Sequence, residues 1–77
     1  MLSRTYCHLC DDMISALQQM RGSFAVGYVV EVVDVDQDPA LEREWGDKVP
    51  VLLDGDIEIC HHFLDAGRLG AQLEKRA

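Results

Sequence analysis

Two cysteines, separated by two residues, are the side chains in this sequence best suited to chemistry. Cys7 and Cys10 lie between a short apolar stretch and an amphipathic helical pattern. A thiol pair at this spacing can alternate between dithiol and disulfide, and the free N–H groups of a helix start lower the pKa of a thiol placed there. We therefore expect Cys7 to be the nucleophile and Cys10, one turn into the helix, to be the resolving thiol.

The charged neighbours of the pair act in opposite directions. A protonated His8 stabilises a thiolate at Cys7, and so does Arg4 if its strand directs it toward the pair. Asp11 and Asp12 interact well with a helix start but oppose a nearby thiolate. A lowered pKa of the Cys7 thiol is therefore a hypothesis.

A structural role explains the pair less well. The 77-residue chain has three cysteines, whereas small secreted scaffolds usually carry an even set spread along the chain. A Cys7–Cys10 bridge closes a very short loop, which contributes only about 2 kcal/mol on the loop-entropy model. Redox chemistry is the favoured interpretation, and packing of two thiols in the core is the alternative.

The dipeptide Val49-Pro50 opens a predicted strand, where proline has no N–H to donate to a ladder. The bond before a proline is also the one at which the cis form is low in energy, although trans is the common form. A two-residue turn at Asp54-Gly55 would place Cys60 opposite Val49, beside Pro50. Cys60 is therefore a possible third thiol near the pair, with a buried spectator thiol as the alternative.

Histidines beside Cys60 raise the question of a metal. His61 and His62, together with Cys7 and Cys10, offer enough nitrogen and sulfur ligands for a tetrahedral zinc site. Zinc ligand pairs usually lie about 12–20 residues apart, however, and about 50 residues separate these two. We predict no metal and no cofactor, and a zinc or iron–sulfur module is kept as an alternative.

Composition limits the remaining classes of protein. A net charge of −7 makes nucleic acid an unsuitable partner. The apolar fraction of 48% is typical of a globular chain, and no apolar run approaches the roughly 20 residues that span a membrane. Without a basic and apolar N-terminal pattern, we expect a cytoplasmic protein, with residues 1–77 forming a single domain.

Apolar periodicity and turn residues divide the chain into seven elements. Strands are predicted at Leu2–Tyr6, Val26–Val35, Val49–Leu53 and Ile57–Cys60. Helices are predicted to run from near Cys7 to Gly22, from Asp38-Pro39 to Gly46 with Leu41 and Trp45 on one side, and from Asp65 onward with Ala66, Leu69 and Leu73 facing inward. The order β-α-β-α-β-β-α predicts an α/β fold in which a parallel crossover comes first and an antiparallel hairpin follows.

Three stretches of the chain, taken in order, resemble the glutaredoxin/thioredoxin family, and above all its small bacterial glutaredoxin-like members. These are Cys7–Asp11, Val33–Leu41, and Val49–Leu52 with Gly55. The resemblance implies a thioredoxin-like fold of the glutaredoxin type. In that fold a four-stranded mixed sheet is flanked by three helices, with the second strand at one edge and the hairpin at the other.

The same resemblance implies the roles of several residues. Cys7 would attack a substrate disulfide and Cys10 would resolve the mixed disulfide. A cis Val49–Pro50 bond would face the pair, with the backbone of Val49 free to bind an extended substrate. Tyr6, in the place of thioredoxin's tryptophan, and His8 flank the nucleophile and are further candidates for substrate contact.

Two departures from the family pattern concern glutathione. No proline lies inside the Cys7–Cys10 motif, and Ile59–His62 replaces the Gly-Gly segment that cradles glutathione. We therefore predict a thiol–disulfide oxidoreductase whose partners are protein or small-molecule disulfides, with glutathione a doubtful one. A redox-dependent interaction domain without turnover is a further alternative.

Overall fold

The computed structural model describes residues 1–76, and within them the chain follows the expected β-α-β-α-β-β-α order. A 3₁₀ turn at Val35–Gln37 is added after the second strand. The strands are β1 Leu2–Ser3, β2 Val33–Asp34, β3 Val51–Asp54 and β4 Ile57–His61. The helices are α1 His8–Gln19, α2 Pro39–Trp45 and α3 Ala66–Arg76.

The four strands form one mixed sheet in the order β2-β1-β3-β4. β1 is parallel to β2, while β1–β3 and β3–β4 are antiparallel. This arrangement confirms the expected thioredoxin-like fold, with β2 at one edge and the hairpin at the other. No helix within residues 1–76 has the length and apolarity that crossing a membrane requires.

The helices begin where capping residues predict. Asp38 accepts hydrogen bonds from the backbone N–H groups of Ala40 and Leu41, and Gly46 ends α2. Asp65 caps α3 in the same way by accepting from the N–H of Arg68 at 3.0 Å. In α3, Leu69 and Leu73 are buried as predicted, but Ala66 is exposed because it lies in the first turn, outside the buried stripe.

The second strand is much shorter than the predicted Val26–Val35. Only Val33 and Asp34 pair with β1, which is itself two residues long. The residues before them keep the alternating burial of a strand, since Val26, Tyr28 and Val30 contact the core. Their pattern is therefore that of a strand, but β1 provides no partner beyond its own length.

The predicted hairpin register is wrong. The two loop residues are Gly55 and Asp56, so that Asp54 pairs with Ile57, and a bulge follows between Leu52 and Leu53. Gly55 has φ of +61°, a conformation that glycine adopts without the steric cost of a side chain.

The shifted turn and the bulge together change the position of the third thiol. Cys60 pairs with Leu52 and not with Val49. Because an extra residue is inserted, Ile59 and Cys60 are both buried, although they are adjacent in the strand.

The sheet separates two apolar clusters. Helices α1 and α3 cover one face with a buried group of Cys10, Met13, Leu17, Leu69 and Leu73, which packs with Leu52, Ile59 and Cys60 of the sheet. The other face carries Leu2, Val35 and Val51, against which Leu41 and Trp45 of α2 pack. The first cluster includes Cys10, so the thiol pair lies on the face covered by α1 and α3.

Candidate active site

Cys7 and Cys10 are joined by a disulfide at the start of α1, with their Cα atoms 5.1 Å apart. Cys7 is the N-cap residue, with extended backbone angles of φ −110° and ψ 107°. Its Sγ accepts a hydrogen bond from the N–H of Cys10 at 3.1 Å. The first cysteine therefore lies at the positive end of the helix, as the spacing predicts.

The two sulfurs differ in access. Cys10 is 2% exposed and belongs to the apolar cluster beneath α1, whereas Cys7 is partly exposed. A thiol or disulfide from solution can approach the sulfur of Cys7 but not that of Cys10. This asymmetry is what a nucleophile with a resolving partner requires.

A fully exposed aromatic ring precedes the pair. Tyr6 has a relative exposure of 101% and a φ of +59°, which is uncommon for a residue with a side chain. Its left-handed backbone turns the chain from β1 into Cys7. His8, on the other side of Cys7, is also exposed. Both candidate contact residues thus border the accessible sulfur.

The Val49–Pro50 peptide bond is cis, as the resemblance implies. Pro50 is buried, and Val49 packs against the cluster that contains Cys10 and that Cys7 also contacts. The carbonyl of Pro50 accepts a hydrogen bond from the N–H of His62 at 2.8 Å. This bond extends the pairing of β3 with β4 beyond His61.

Arg4 does not serve the thiol pair. Its Nε atom lies 3.0 Å from Asp36 Oδ1, and its Nη2 atom lies 3.1 Å from Glu42 Oε1. A third contact joins Nη1 to the carbonyl of Gly46 at 3.4 Å. The guanidinium thus connects the end of β1 to α2, and the expectation that it supports a thiolate is not met.

The acidic side chains that follow Cys7 on α1 are those of Asp11 and Asp12. Asp11 donates its backbone N–H to the carbonyl of Cys7 at 3.1 Å, and both Asp11 and Asp12 are exposed. Within residues 1–76, neither carboxylate forms an ion pair. Two exposed carboxylates without an ion-pair partner in this part of the chain therefore follow the thiol pair on α1.

Cys60 is a free thiol, 4% exposed, in the same cluster as Cys10. The following histidines have other partners. His61 Nδ1 lies 3.2 Å from Glu58 Oε2, and His62 Nε2 lies 3.0 Å from the carbonyl of Asp47. No set of three or more His, Cys, Asp or Glu side chains in the described chain is arranged to bind a metal ion. The alternative of a zinc or iron–sulfur module therefore gains no support.

The sequence pattern missed the geometry of His62. Its φ is +65°, and its N–H and ring bind Pro50 and Asp47, so that it connects the end of β4 to the segment before β3. Nothing in the sequence indicates this, because glycine and asparagine are the usual residues with positive φ. The sequence pattern also did not indicate how exposed the rings of Tyr6 and Phe63 are, at 101% and 68%.

Comparison with known proteins agrees with this geometry. The family model of the glutaredoxin-like domain (DUF836) matches residues 1–74. Among curated proteins, no relative matches the chain.

Two solved structures are similar over most of the chain. The solution structure of protein Ne2328 from Nitrosomonas europaea is 38% identical, with a TM-score of 0.80, over 94% of this chain and 85% of that one. The X-ray structure of target protein XcR50 from X. campestris is also 38% identical, with a TM-score of 0.74, over 96% of this chain and 92% of that one.

Proposed function

This chain belongs to the glutaredoxin-like domain family, and we propose that it is a thiol–disulfide oxidoreductase acting on disulfides of proteins or small molecules. One observation carries the proposal: a disulfide at a helix N-terminus joins a partly exposed cysteine to a buried one. A bridge over so short a loop adds little stability, so exchange is its better explanation.

The proposed cycle begins with both thiols reduced. The thiolate of Cys7 attacks one sulfur of a substrate disulfide, whose S–S bond breaks, and the departing thiolate takes up a proton. The mixed disulfide at Cys7 is then attacked by the thiolate of Cys10. The second substrate thiol leaves, and two electrons have passed from the protein to the substrate. An external dithiol reduces the Cys7–Cys10 bridge by the reverse steps.

The local structure supports these separate roles. The N–H of Cys10 and the positive helix end favour negative charge on the sulfur of Cys7. Burial of Cys10 prevents it from forming a mixed disulfide itself, so its thiol acts only on the bond at Cys7. We assign the backbone of Val49, next to Pro50, and the side chains of Tyr6 and His8 to substrate contact.

Charge makes glutathione the less suitable small substrate. Each glutathione carries two carboxylates and one ammonium group, while Asp11 and Asp12 are exposed in the first turns of α1 and Arg4 is bound to acids elsewhere. Like charges at short distance oppose association. We propose that peptide or protein disulfides are the natural partners, within the reducing cytoplasm.

The test measures reduction of a disulfide-linked fluorescent peptide by dithiothreitol, with and without the protein. The wild type should accelerate it, Cys7→Ser should fall to the uncatalysed rate, and Cys10→Ser should accumulate as a mixed disulfide. Cys60→Ser is the matched control and should keep the wild-type rate. If the wild type forms and breaks its own bridge without accelerating peptide reduction, the protein is a redox-dependent interaction domain instead.

A further inference from the structure

The chain turns sharply directly after β4, and His62 is the central residue of the turn. Its φ is +65°, and the N–H of Phe63 donates to the carbonyl of His61 at 2.8 Å. A hydrogen bond between residues two apart, closed around a positive φ, is the rare and strained form of the γ-turn. A strained backbone of this kind persists only where the surrounding contacts hold it in place.

Two hydrogen bonds of His62 hold the turn against the segment before β3. Its backbone N–H donates to the carbonyl of Pro50 at 2.8 Å, and its ring Nε2 lies 3.0 Å from the carbonyl oxygen of Asp47. Because a carbonyl oxygen only accepts, Nε2 carries the proton in the second bond. One residue therefore binds the chain on both sides of the dipeptide Lys48-Val49.

The backbone of this dipeptide has few other contacts. The N–H of Lys48 donates to the carbonyl of Trp45 at 2.8 Å, just after the end of α2. Within residues 1–76, the N–H and carbonyl of Val49 form no backbone hydrogen bond, and β3 begins only at Val51. The peptide groups of Val49 are therefore free to bind an extended partner, and the bonds of His62 fix the chain around them.

Val49 also belongs to the surroundings of the thiol pair. Val49 and Cys7 are partly buried, and both pack against the apolar cluster that contains Cys10. The segment that His62 holds is therefore the one assigned above to substrate contact. No other side chain in the described part of the chain donates a hydrogen bond to residues 47–50.

We propose that His62 is a positioning residue, which holds the backbone of Val49 where an extended polypeptide substrate binds it. The site would thereby select peptide disulfides over small disulfides that have no peptide groups. This inference rests on the function proposed for Cys7. A peptide substrate would exchange hydrogen bonds with Val49 as one strand does with another, while its disulfide lies at Cys7. A small disulfide gains nothing from this contact.

The test compares two variants of His62. His62→Gly keeps the turn and the bond to Pro50, because glycine adopts a positive φ freely, and it removes only the ring bond to Asp47. His62→Gln is the matched variant, since its side-chain amide has an N–H donor as many bonds from Cβ as Nε2 is in histidine.

Each variant is assayed with the disulfide-linked peptide and with bis(2-hydroxyethyl) disulfide, which has no peptide groups. For the peptide, kcat/KM should fall about two- to tenfold in His62→Gly, the contribution of about one hydrogen bond, and stay near the wild-type value in His62→Gln. For the small disulfide, kcat/KM should be the same in all three proteins. NMR relaxation of the backbone amides should give Val49 an order parameter of about 0.85 in the wild type and a lower one in His62→Gly.

Three outcomes would overturn the inference. One is a wild-type kcat/KM for the peptide in His62→Gly, and another is an equal loss with both disulfides, which would indicate a purely structural role. The third is an equal order parameter of Val49 in the wild type and His62→Gly, whatever the activities are. A wild type that reduces neither disulfide would instead contradict the function proposed for Cys7, and the order parameters then decide whether His62 fixes Val49.

Discussion

The two ends of the sheet differ in the contacts that hold the surrounding segments of the chain together. At the thiol end, the Arg4 ion pairs and the bond from His62 to Pro50 connect segments that are distant in sequence, and a disulfide closes the start of α1. At the other end, the segment before β2 and the outer part of β3 line a cavity of about 360 Å³ next to Met1. Side-chain and loop contacts therefore position the thiol pair. The backbone hydrogen bonds between strands join mostly the centre of the sheet.

The largest expected effect tests whether the stability of the fold can change without a change in the chemistry at Cys7. Leu17 is 1% exposed, contacts the core under α1 and lines the cavity next to Met1. Leu17→Ala should lower the free energy of unfolding by about 2–5 kcal/mol, because it leaves a cavity. Urea denaturation measures this, and Leu17→Met should cost less than about 1.5 kcal/mol. If Leu17→Ala also lowers the rate of peptide-disulfide reduction per folded molecule, the two ends of the sheet are not independent.

A smaller effect concerns Asp11, the acid one helical turn after Cys7. Asp11 lies four residues after Cys7, a spacing at which helix side chains are about 6 Å apart. Asp11→Asn should lower the pKa of the Cys7 thiol and speed its alkylation by iodoacetamide about threefold at neutral pH, the Coulomb effect of one charge at that distance in water. The change should shrink in high salt. Asp56→Asn, on the hairpin loop, is the matched control and should leave alkylation unchanged.

A still smaller effect distinguishes structural from catalytic roles of Arg4. Because its guanidinium binds Asp36 and Glu42, Arg4→Gln should lower Tm slightly and leave the pH dependence of Cys7 alkylation unchanged. The measurement is the alkylation rate from pH 5 to pH 9, with Arg43→Gln on α2 as a control. If the inflection of the alkylation rate moves to higher pH in Arg4→Gln but not in Arg43→Gln, the charge of Arg4 stabilises the thiolate of Cys7.

The smallest effect concerns the amino group of Met1, at the other end of the sheet. Burial lowers the pKa of the Met1 amino group below its ordinary value of 8.0, and the charge of Glu31 only partly offsets this. The folded chain then binds fewer protons than the unfolded chain, so stability should rise with pH between the lowered pKa and 8.0. Comparing the unfolding of native and Nα-acetylated protein over this range isolates the effect. Parallel pH curves for the two forms would contradict it.

Local signals in the sequence predicted the parts of the fold that local bonds determine. Asp38 and Pro39 start α2 because a carboxylate accepts from the first free N–H groups and proline needs no donor there. Cys7 and Cys10 were placed correctly on α1 for a similar reason: the helix pattern begins directly after the first cysteine. The order of elements followed from the same signals.

Features that depend on distant partners could not be predicted in this way. The valine-rich stretch before Val33 has the composition of a strand, but pairing depends on the length of β1. The turn at Gly55-Asp56 and the bulge between Leu52 and Leu53 together moved Cys60 away from Val49, because each of them changes the register of every later residue. The resemblance to a family supplied the cis bond at Val49–Pro50, which base rates alone disfavour.

The placement of the only tryptophan has a practical consequence for spectroscopy. Trp45 packs on the α2 face, with the ammonium of Lys48 5.4 Å from its ring centre, whereas Cys10 lies in the cluster on the opposite face. Opening or closing the bridge should therefore leave its emission nearly constant. Intrinsic fluorescence can follow denaturation of either redox form on one common scale, and the state of the sulfurs needs a separate chemical label.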